Sequence, residues 1–421
     1  MPTPCVKSVL WCLAVFAILC AGSLAGAQPA SSDAPAPLLQ AGHPVDWWFV
    51  FKFNAASFPA CGGPERTCLF GGDVQPYQSF GQRYVVASSE NPSLVKGGGC
   101  AGDTTADPVG ATFDEVYNGA YFYVVWNDQF YDDPEIAGCT KECGTPWGHS
   151  KGLLAWNESG DGLVLQVTTP SWPAAGSKVN PRLSDGNTLG CVRDDNVKVS
   201  QHFLALRLAK ADVVAVLSGL LNASIVTDPG NLQVVKNGGP AEIQSIVSGL
   251  GVKSHSDKFT NNTLSSGVSV ISKPSRLHVP PWQMVSAVLG GVSLRTATWW
   301  TTPKIDSTDA NTPIGCWDST LGNPGAVEIA TSGQWDGKTF GLTGGGGPNF
   351  NHAKIGVSIS GTVPYAIFGD MNQQGSLAPA IRPCGSSQNG RGGLFYVLKD
   401  ATLSDGLRTL MMGGTAPAPA P

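Results

Sequence analysis

The tripeptide His-x-Lys occurs twice, as His149-Ser150-Lys151 and as His352-Ala353-Lys354, once in each half of the 421-residue chain. Each copy leads into a β-like run, 152–156 and 355–359, and each follows a turn-rich stretch, 144–148 and 344–351. Side chains alternate across an extended strand, so residues i and i+2 share a face and each triplet presents one imidazole beside one ammonium. The order strand, triplet, return strand occurs twice, with little residue identity between the halves beyond the triplets. Imidazole titrates near physiological pH and can serve as nucleophile, acid or base, while lysine is a point charge suited to a phosphate oxygen. Two facing pairs have what is needed to cleave a phosphate ester without a metal.

The surrounding pattern repeats as well. Residues 45–53 (VDWWFVFKF) and 120–126 (AYFYVVW) are aromatic and β-branched runs bounded by turn formers, which predicts buried strands. A strand over 151–156, a turn over 157–162 and a return strand over 162–168 form a predicted hairpin. In the second half the order recurs as strands over 292–300 and 334–341, the second triplet with 355–359, and a return strand over 363–368. Apolar residues three and four apart over 201–221 predict one long helix, and a shorter helix is expected over 282–289 after Pro280-Pro281. The fold class read from this is α+β (mixed α/β), two lobes with mixed sheets flanked by helices.

Lys7, the apolar run 9–20 and the small residues Ala25-Gly26-Ala27 read as a secretory signal peptide over 1–27. An Ala/Pro-rich linker (28–44), an N-terminal lobe (45–240), a C-terminal lobe (241–412) and an Ala-Pro tail (413–421) complete the expected organisation. No later stretch approaches the roughly 20 apolar residues of a membrane span. Of the eleven cysteines, Cys5, Cys12 and Cys20 fall in the leader, and the remaining eight are expected to form disulfides. Cys139 and Cys143 have zinc-like spacing, but no second pair completes a site. Asn157, Asn222 and Asn261 head glycosylation sequons. Loss of Lys7 takes the formal charge from −5 to −6, so the whole chain is not a basic glove for nucleic acid; acid pH would add charge to its histidines.

Gly148-His149-Ser150-Lys151-Gly152 also spells the G-x-S-x-G elbow of serine esterases, with Ser150 as nucleophile. An elbow needs a strand before the serine and a helix after it. Here a turn precedes and a strand follows, and the second triplet carries Ala353 in place of the serine. The glycines 344–347 lack a following Gly-Lys-Ser/Thr and read as a turn delivering His352. Gly369-Asp370-Met371-Asn372 follows the second return strand, where a carboxylate could orient His352 and favour its charged form. Trp299 and Trp300 read as packing residues.

Taken in order, Trp48 to Lys52, Asn127-Asp128-Gln129, His149-Ser150-Lys151-Gly152, Gly190-Cys191, His352-Ala353-Lys354, Gly369-Asp370-Met371-Asn372 and Arg391 to Gly393 resemble the DNase II family of acid endonucleases. The resemblance covers most of the mature chain. It implies a phospholipase-D-like, two-lobed pseudo-dimer and metal-independent hydrolysis of DNA at acid pH, leaving 3′-phosphate ends, with no cofactor. Carried over residue by residue, it implies His149, Lys151, His352, Lys354, Asp370 and Asn372 as the catalytic set, DNA as substrate, and a secreted or lysosomal location. The animal members carry a further histidine on the first return strand, where this chain has Val167-Thr168-Thr169. A phosphohistidine mechanism follows, with His149 as nucleophile and His352, charged beside Asp370, as acid. Three other readings stand beside it: a phosphodiesterase of the same fold acting on lipid, a Ser150 esterase, and a binding glycoprotein with a degenerate site.

Overall fold

The computed structural model describes Met1 and residues 33–58, 83–102, 104–130, 142–170 and 198–418. The expected signal peptide beyond Met1, Cys61, Cys68, Cys139 and the Gly190-Cys191 motif lie outside the described residues. The first half builds strands β1 (Trp47–Lys52), β2 (Tyr84–Ser88), β3 (Phe122–Asn127), β4 (Lys151–Trp156), β5 (Gly162–Val167) and β6 (Gln201–Leu208). Helix α1 (Pro108–Asn118) precedes β3, and α2 (Lys210–Asn222) follows β6. The second half builds β7 (Thr260–Thr263), β8 (Ser269–Lys273), β9 (Leu294–Ala297), β10 (Ile355–Ser358), β11 (Tyr365–Gly369) and β12 (Gly393–Lys399). Helix α3 (Ala241–Ser248) joins the halves, α4 (Pro281–Val288) precedes β9, and α5 (Ala401–Leu410) follows β12. The class is α+β, as expected from the sequence.

Two layers carry the repeat; the first is antiparallel throughout, and of the two only the second is mixed as the sequence led us to expect. The eight-stranded sheet runs β3-β4-β5-β6-β1-β2 through its centre, with Val235–Lys236 and Val95–Lys96 at its edges. The seven-stranded sheet runs β9-β10-β11-β12-β8-β7, with Val327–Ile329 paired parallel to β9. Within these six-strand cores every neighbour is antiparallel. The registers superpose residue on residue. Gly152 lies opposite Trp126 and Gln166, as Ile355 lies opposite Ala297 and Phe368. Lys52 lies opposite Gln201, as Lys273 lies opposite Gly393.

Side-chain volume is distributed differently in the two copies. A Cβ on Gly152 would sit 2.5 Å from the Trp126 ring, so the indole fills the space that Ile355 fills opposite Ala297. Both triplet strands are buried throughout, and one hydrophobic core joins the two sheets. Phe49 of β1 meets Phe368 of β11 at 4.7 Å between ring centroids. Each fully buried ring of this kind contributes on the order of 2 kcal/mol. The halves are thereby held as one body around the triplets.

Four sequence expectations are corrected. The stretch 201–221 is not one helix: Gln201–Leu208 is a strand between β5 and β1, and the helix begins at Lys210. A strand buried on both faces loses its polar alternation, so its apolar residues mimic a helical stripe. The single strand expected over 334–341 is a hairpin, Ser332–Trp335 with Lys338–Gly341, turned by Asp336 and Gly337 at positive φ. Part of the expected linker is packed, with Ala34 and Ala36 buried and Leu38 N–H donating to Thr112 Oγ1 at 3.0 Å. The start of the tail is pinned too, because Arg295 donates to the carbonyls of Met411, Gly413 and Gly414 and to Thr415 Oγ1.

Disulfides close part of the framework: Cys316 bonds Cys384, and Cys100 and Cys143 are each disulfide-bonded. Among the described residues no helix is long and apolar enough to cross a membrane.

Candidate active site

The triplets sit where a turn enters a strand, as the sequence pattern suggests, but they are buried there. His149 and His352 are each 5 % exposed, and Lys151 and Lys354 are buried. Their position is fixed by contacts that cross between the halves. His149 N–H donates to Gly392 O at 2.8 Å, and its Nδ1–H to Asp370 O at 2.7 Å. His352 N–H donates to Ser200 O at 2.7 Å, and its Nδ1–H to Thr168 O at 2.6 Å. Thr168 and Asp370 are matching residues of the two copies, as are Ser200 and Gly392, so each half docks the other's histidine in the same way. A carbonyl can only accept, so each neutral ring carries its proton on Nδ1 and keeps its lone pair on Nε2.

Asp370 therefore plays a different part from the one expected. Its carbonyl orients His149, and its carboxylate accepts from Gln166 Nε2 at 2.9 Å, Leu394 N–H at 2.8 Å and Ser150 Oγ–H rather than from His352. Burial pushes that carboxyl up to about 6, against the pull of these donors and of Lys151. Asn372 is also turned elsewhere: its Nδ2 donates to Gln374 Oε1 at 2.9 Å and its N–H to Gln388 Oε1 at 3.3 Å.

Ser150 is buried, accepts from Trp126 Nε1–H at 2.8 Å and is followed by a strand, so it lacks the exposed strand-to-helix setting of an esterase nucleophile.

Charge distinguishes the two copies. Lys151 Nζ donates to Asp128 Oδ1 at 2.5 Å, and Arg391 Nη2 to Asp128 Oδ2 at 2.8 Å. Burial tends to raise the Asp128 carboxyl, but Lys151 and Arg391 outweigh it and hold the group below the usual carboxylate range. Arg391 also reaches the carbonyls of Cys143, Trp147 and Gly148, strapping the chain just before His149. By register, the second copy has Trp299 where the first has Asp128, and the first has Val199 where the second has Arg391. Lys354 Nζ donates to His352 O at 2.6 Å, and burial with the Lys151 charge holds its amine well below the ordinary lysine value. Trp299, read from sequence as packing, is half-buried with its ring edge-on to His352 at 4.7 Å.

Burial also holds both triplet histidines well below their ordinary value. Lys151, Arg391 and Lys354 add to the effect at His149, and Lys354, Lys151 and His149 at His352. A third buried histidine, His202, was missed because its stretch read as helix. Its Nδ1 accepts Lys354 N–H at 3.0 Å, its Nε2–H donates to Gln166 Oε1 at 3.2 Å, and Gln166 passes the chain on to Asp370. The first return strand does lack a histidine: Val167 is buried, and Thr168 supplies the carbonyl for His352. The network that backs the second triplet instead comes from His202 on the adjacent strand.

Gly344 N–H bonds Trp300 O at 3.1 Å, so the glycine-rich turn that delivers His352 is tied to the tryptophan pair. Among the described residues no group of three or more His, Cys, Asp and Glu is arranged to hold a metal ion.

Comparison with known proteins adds one finding. The family model described as Deoxyribonuclease II matches residues 37–413, nearly the whole chain. No curated protein matches.

Proposed function

The chain belongs to the deoxyribonuclease II family, and from that premise we propose that it is a secreted or lysosomal acid endonuclease that cleaves DNA without a metal, through a phosphohistidine. The observation that carries this is the crosswise locking of His149 and His352, which leaves each neutral ring with its lone pair on Nε2.

His149 Nε2 attacks phosphorus while the P–O5′ bond breaks, and protonated His352 delivers its Nε2 proton to the departing 5′ oxygen. The strand downstream leaves with a 5′-hydroxyl. Water then attacks the phosphohistidine, giving a proton to the now neutral His352; the P–N bond breaks and a 3′-phosphate is released. Lys151 and Lys354 hold the non-bridging oxygens, supplying the electrostatic part of catalysis.

His149 is assigned as nucleophile because Arg391 is among the cations that keep it neutral and does not act on His352 in the same way. The Asp370 carboxylate does not set this difference, because it accepts from Gln166, Leu394 N–H and Ser150 rather than from His352. His352 must be protonated in the first step, yet burial and two lysines oppose its charge. Acid pH and the bound phosphodiester anion both offset that opposition, so activity rises as pH falls through the His352 value. Export is supported by the leader at 1–27 and by the disulfides at Cys100, Cys143 and Cys316–Cys384.

The test is plasmid nicking at pH 5 in EDTA, beside phosphatidylcholine hydrolysis by the same preparation. Nicking by the wild type that is abolished in His149→Ala and His352→Ala, with little lipid turnover, is the expected result. Absence of nicking, or nicking untouched by either substitution, would overturn the nuclease mechanism. Loss confined to Ser150→Ala would restore the esterase. Acid-quenched enzyme carrying phosphate on His352 rather than His149 would reverse the two roles.

A further inference from the structure

A second lysine pair, outside the triplets, repeats with the same symmetry. Lys52, the last residue of β1, and Lys273, the last residue of β8, are buried and occupy matching positions of the two sheets. Lys52 Nζ donates to Val199 O at 2.8 Å, and Lys273 Nζ to Arg391 O at 2.9 Å, in each case two residues before the strand partner of the lysine. The very next carbonyl is the one on which the opposite half's histidine docks. Ser200 O, after Val199, accepts His352 N–H; Gly392 O, after Arg391, accepts His149 N–H.

We propose that Lys52 and Lys273 are positioning residues of the active site: each holds the backbone segment that seats the catalytic histidine of the other triplet, Lys52 serving His352 and Lys273 serving His149. This rests on the reading that the two histidines perform the chemistry.

Three features favour positioning over simple filling of space. Burying an ammonium among neutral carbonyls is costly, and an apolar side chain of the same length would fill the volume without that cost. Lys273 has two of its three carbonyl partners on the turn that seats His149, Arg391 O at 2.9 Å and Asn389 O at 2.8 Å, and the third is Pro274 O, next to it in the chain, at 3.3 Å. Burial brings its amine down to about 7, with His278 the neighbouring titratable group, so it is charged at acid pH, where the enzyme is proposed to work. Finally, the segment has no slack. A Cβ on Gly392 would lie 2.1 Å from Ala223 O, so the carbonyl that seats His149 can be held only where it is.

The experiment uses full-length protein and two readouts, only one of which depends on activity. Amide hydrogen exchange is followed in peptides spanning 147–149 and 350–352 for wild type, Lys273→Met and Lys52→Met. Lys273→Met should speed exchange at His149 by about tenfold and leave His352 unchanged, and Lys52→Met should do the reverse. At pH 5, kcat for nicking should fall about tenfold in each, with KM within about twofold. Lys273→Gln and Lys52→Gln, which keep an uncharged NH2 donor group, should recover part of both losses, and they stand in if a methionine variant does not fold. Exchange that rises equally at both histidines, or at neither, would overturn the proposal and leave these lysines as general buried caps. Crosswise exchange without any nicking by wild type would retain the positioning and refute the nuclease instead.

Discussion

Asp128→Asn is the sharpest perturbation of the first half-site. Asp128 is 1 % exposed and is shared by Lys151 and Arg391, the former also almost fully buried. The amide keeps the shape and removes the charge, leaving two cations with no carboxylate between them and an N–H group facing a donor. Breaking a buried pair from one side costs about 3–5 kcal/mol, because the partner's charge is left uncompensated. With a urea m-value of about 3 kcal/mol/M, at the upper end for small domains, the unfolding midpoint should fall by at least about 1 M. The pH dependence gives a second check. The folded carboxyl is held below its ordinary value, so its stabilisation is fully present above the unfolded value and is lost as pH falls through the folded one. The penalty of the substitution should therefore be the same at pH 7 and pH 5 and fade only below about pH 4. A midpoint unchanged at pH 7, or a penalty already gone at pH 5, would refute the shared-carboxylate account.

Two further predictions follow from the network behind the second triplet. His202→Leu, which installs the residue found at the matching position, Leu394, should leave Lys354 N–H and Gln166 Oε1 without partners. The expected cost is about 2–4 kcal/mol in urea unfolding at pH 7, and an unchanged midpoint would remove His202 from the network. Asp370 has its folded value raised to about 6, so its contribution to stability is present below the unfolded value near 4 and is lost as pH rises through 6. The stability difference between wild type and Asp370→Asn should accordingly shift against wild type by about 3 kcal/mol between pH 4 and pH 7, and a flat difference would contradict the raised value.

The parts of the site legible in sequence are those set by local periodicity. His149 with Lys151, and the hairpin that follows, needed only the two-residue repeat of a strand. The stretch 201–221 failed because Phe203, Leu204, Leu206 and Leu208 continue into Val213, Val216, Leu217 and Leu220 at spacings that suit a helix. A boundary signal was present: Asp212 at the third helical position accepts from Ala209 N–H at 3.1 Å, marking a helix start near 210. Reading it would have made Gln201–Leu208 a strand and put His202 in a buried row beside the first return strand. Asp336-Gly337 was likewise a hairpin signal within an expected single strand. Asp370 could not have been assigned in this way. Which histidine meets its backbone depends on how two sheets meet across the core, and no local pattern carries that.

The symmetry of the docking makes the departures from it informative. A site with two identical half-sites would give both histidines the same proton affinity, yet the proposed reaction needs one neutral ring and one cationic ring together. Matched carbonyls, on Thr168 and Asp370, cannot create the difference. Nor can the triplet lysines, which repeat. Among the positions that do not repeat, the ion pair of Asp128 with Arg391, replaced across the pseudo-two-fold by Trp299 with Val199, brings a cation that acts on His149 and not on His352. Arg391 adds a permanent charge that disfavours protonation of His149, while His352 has an indole edge in the place of the carboxylate. The two matching pairs differ as units, a charged pair in one place and an apolar pair in the other, so neither leaves a lone buried charge. In the proposed reaction the division of labour between the histidines is thus assigned to residues that flank the triplets. An Arg391→Val substitution that made the halves alike at that point would weaken the preference for which histidine receives the phosphate.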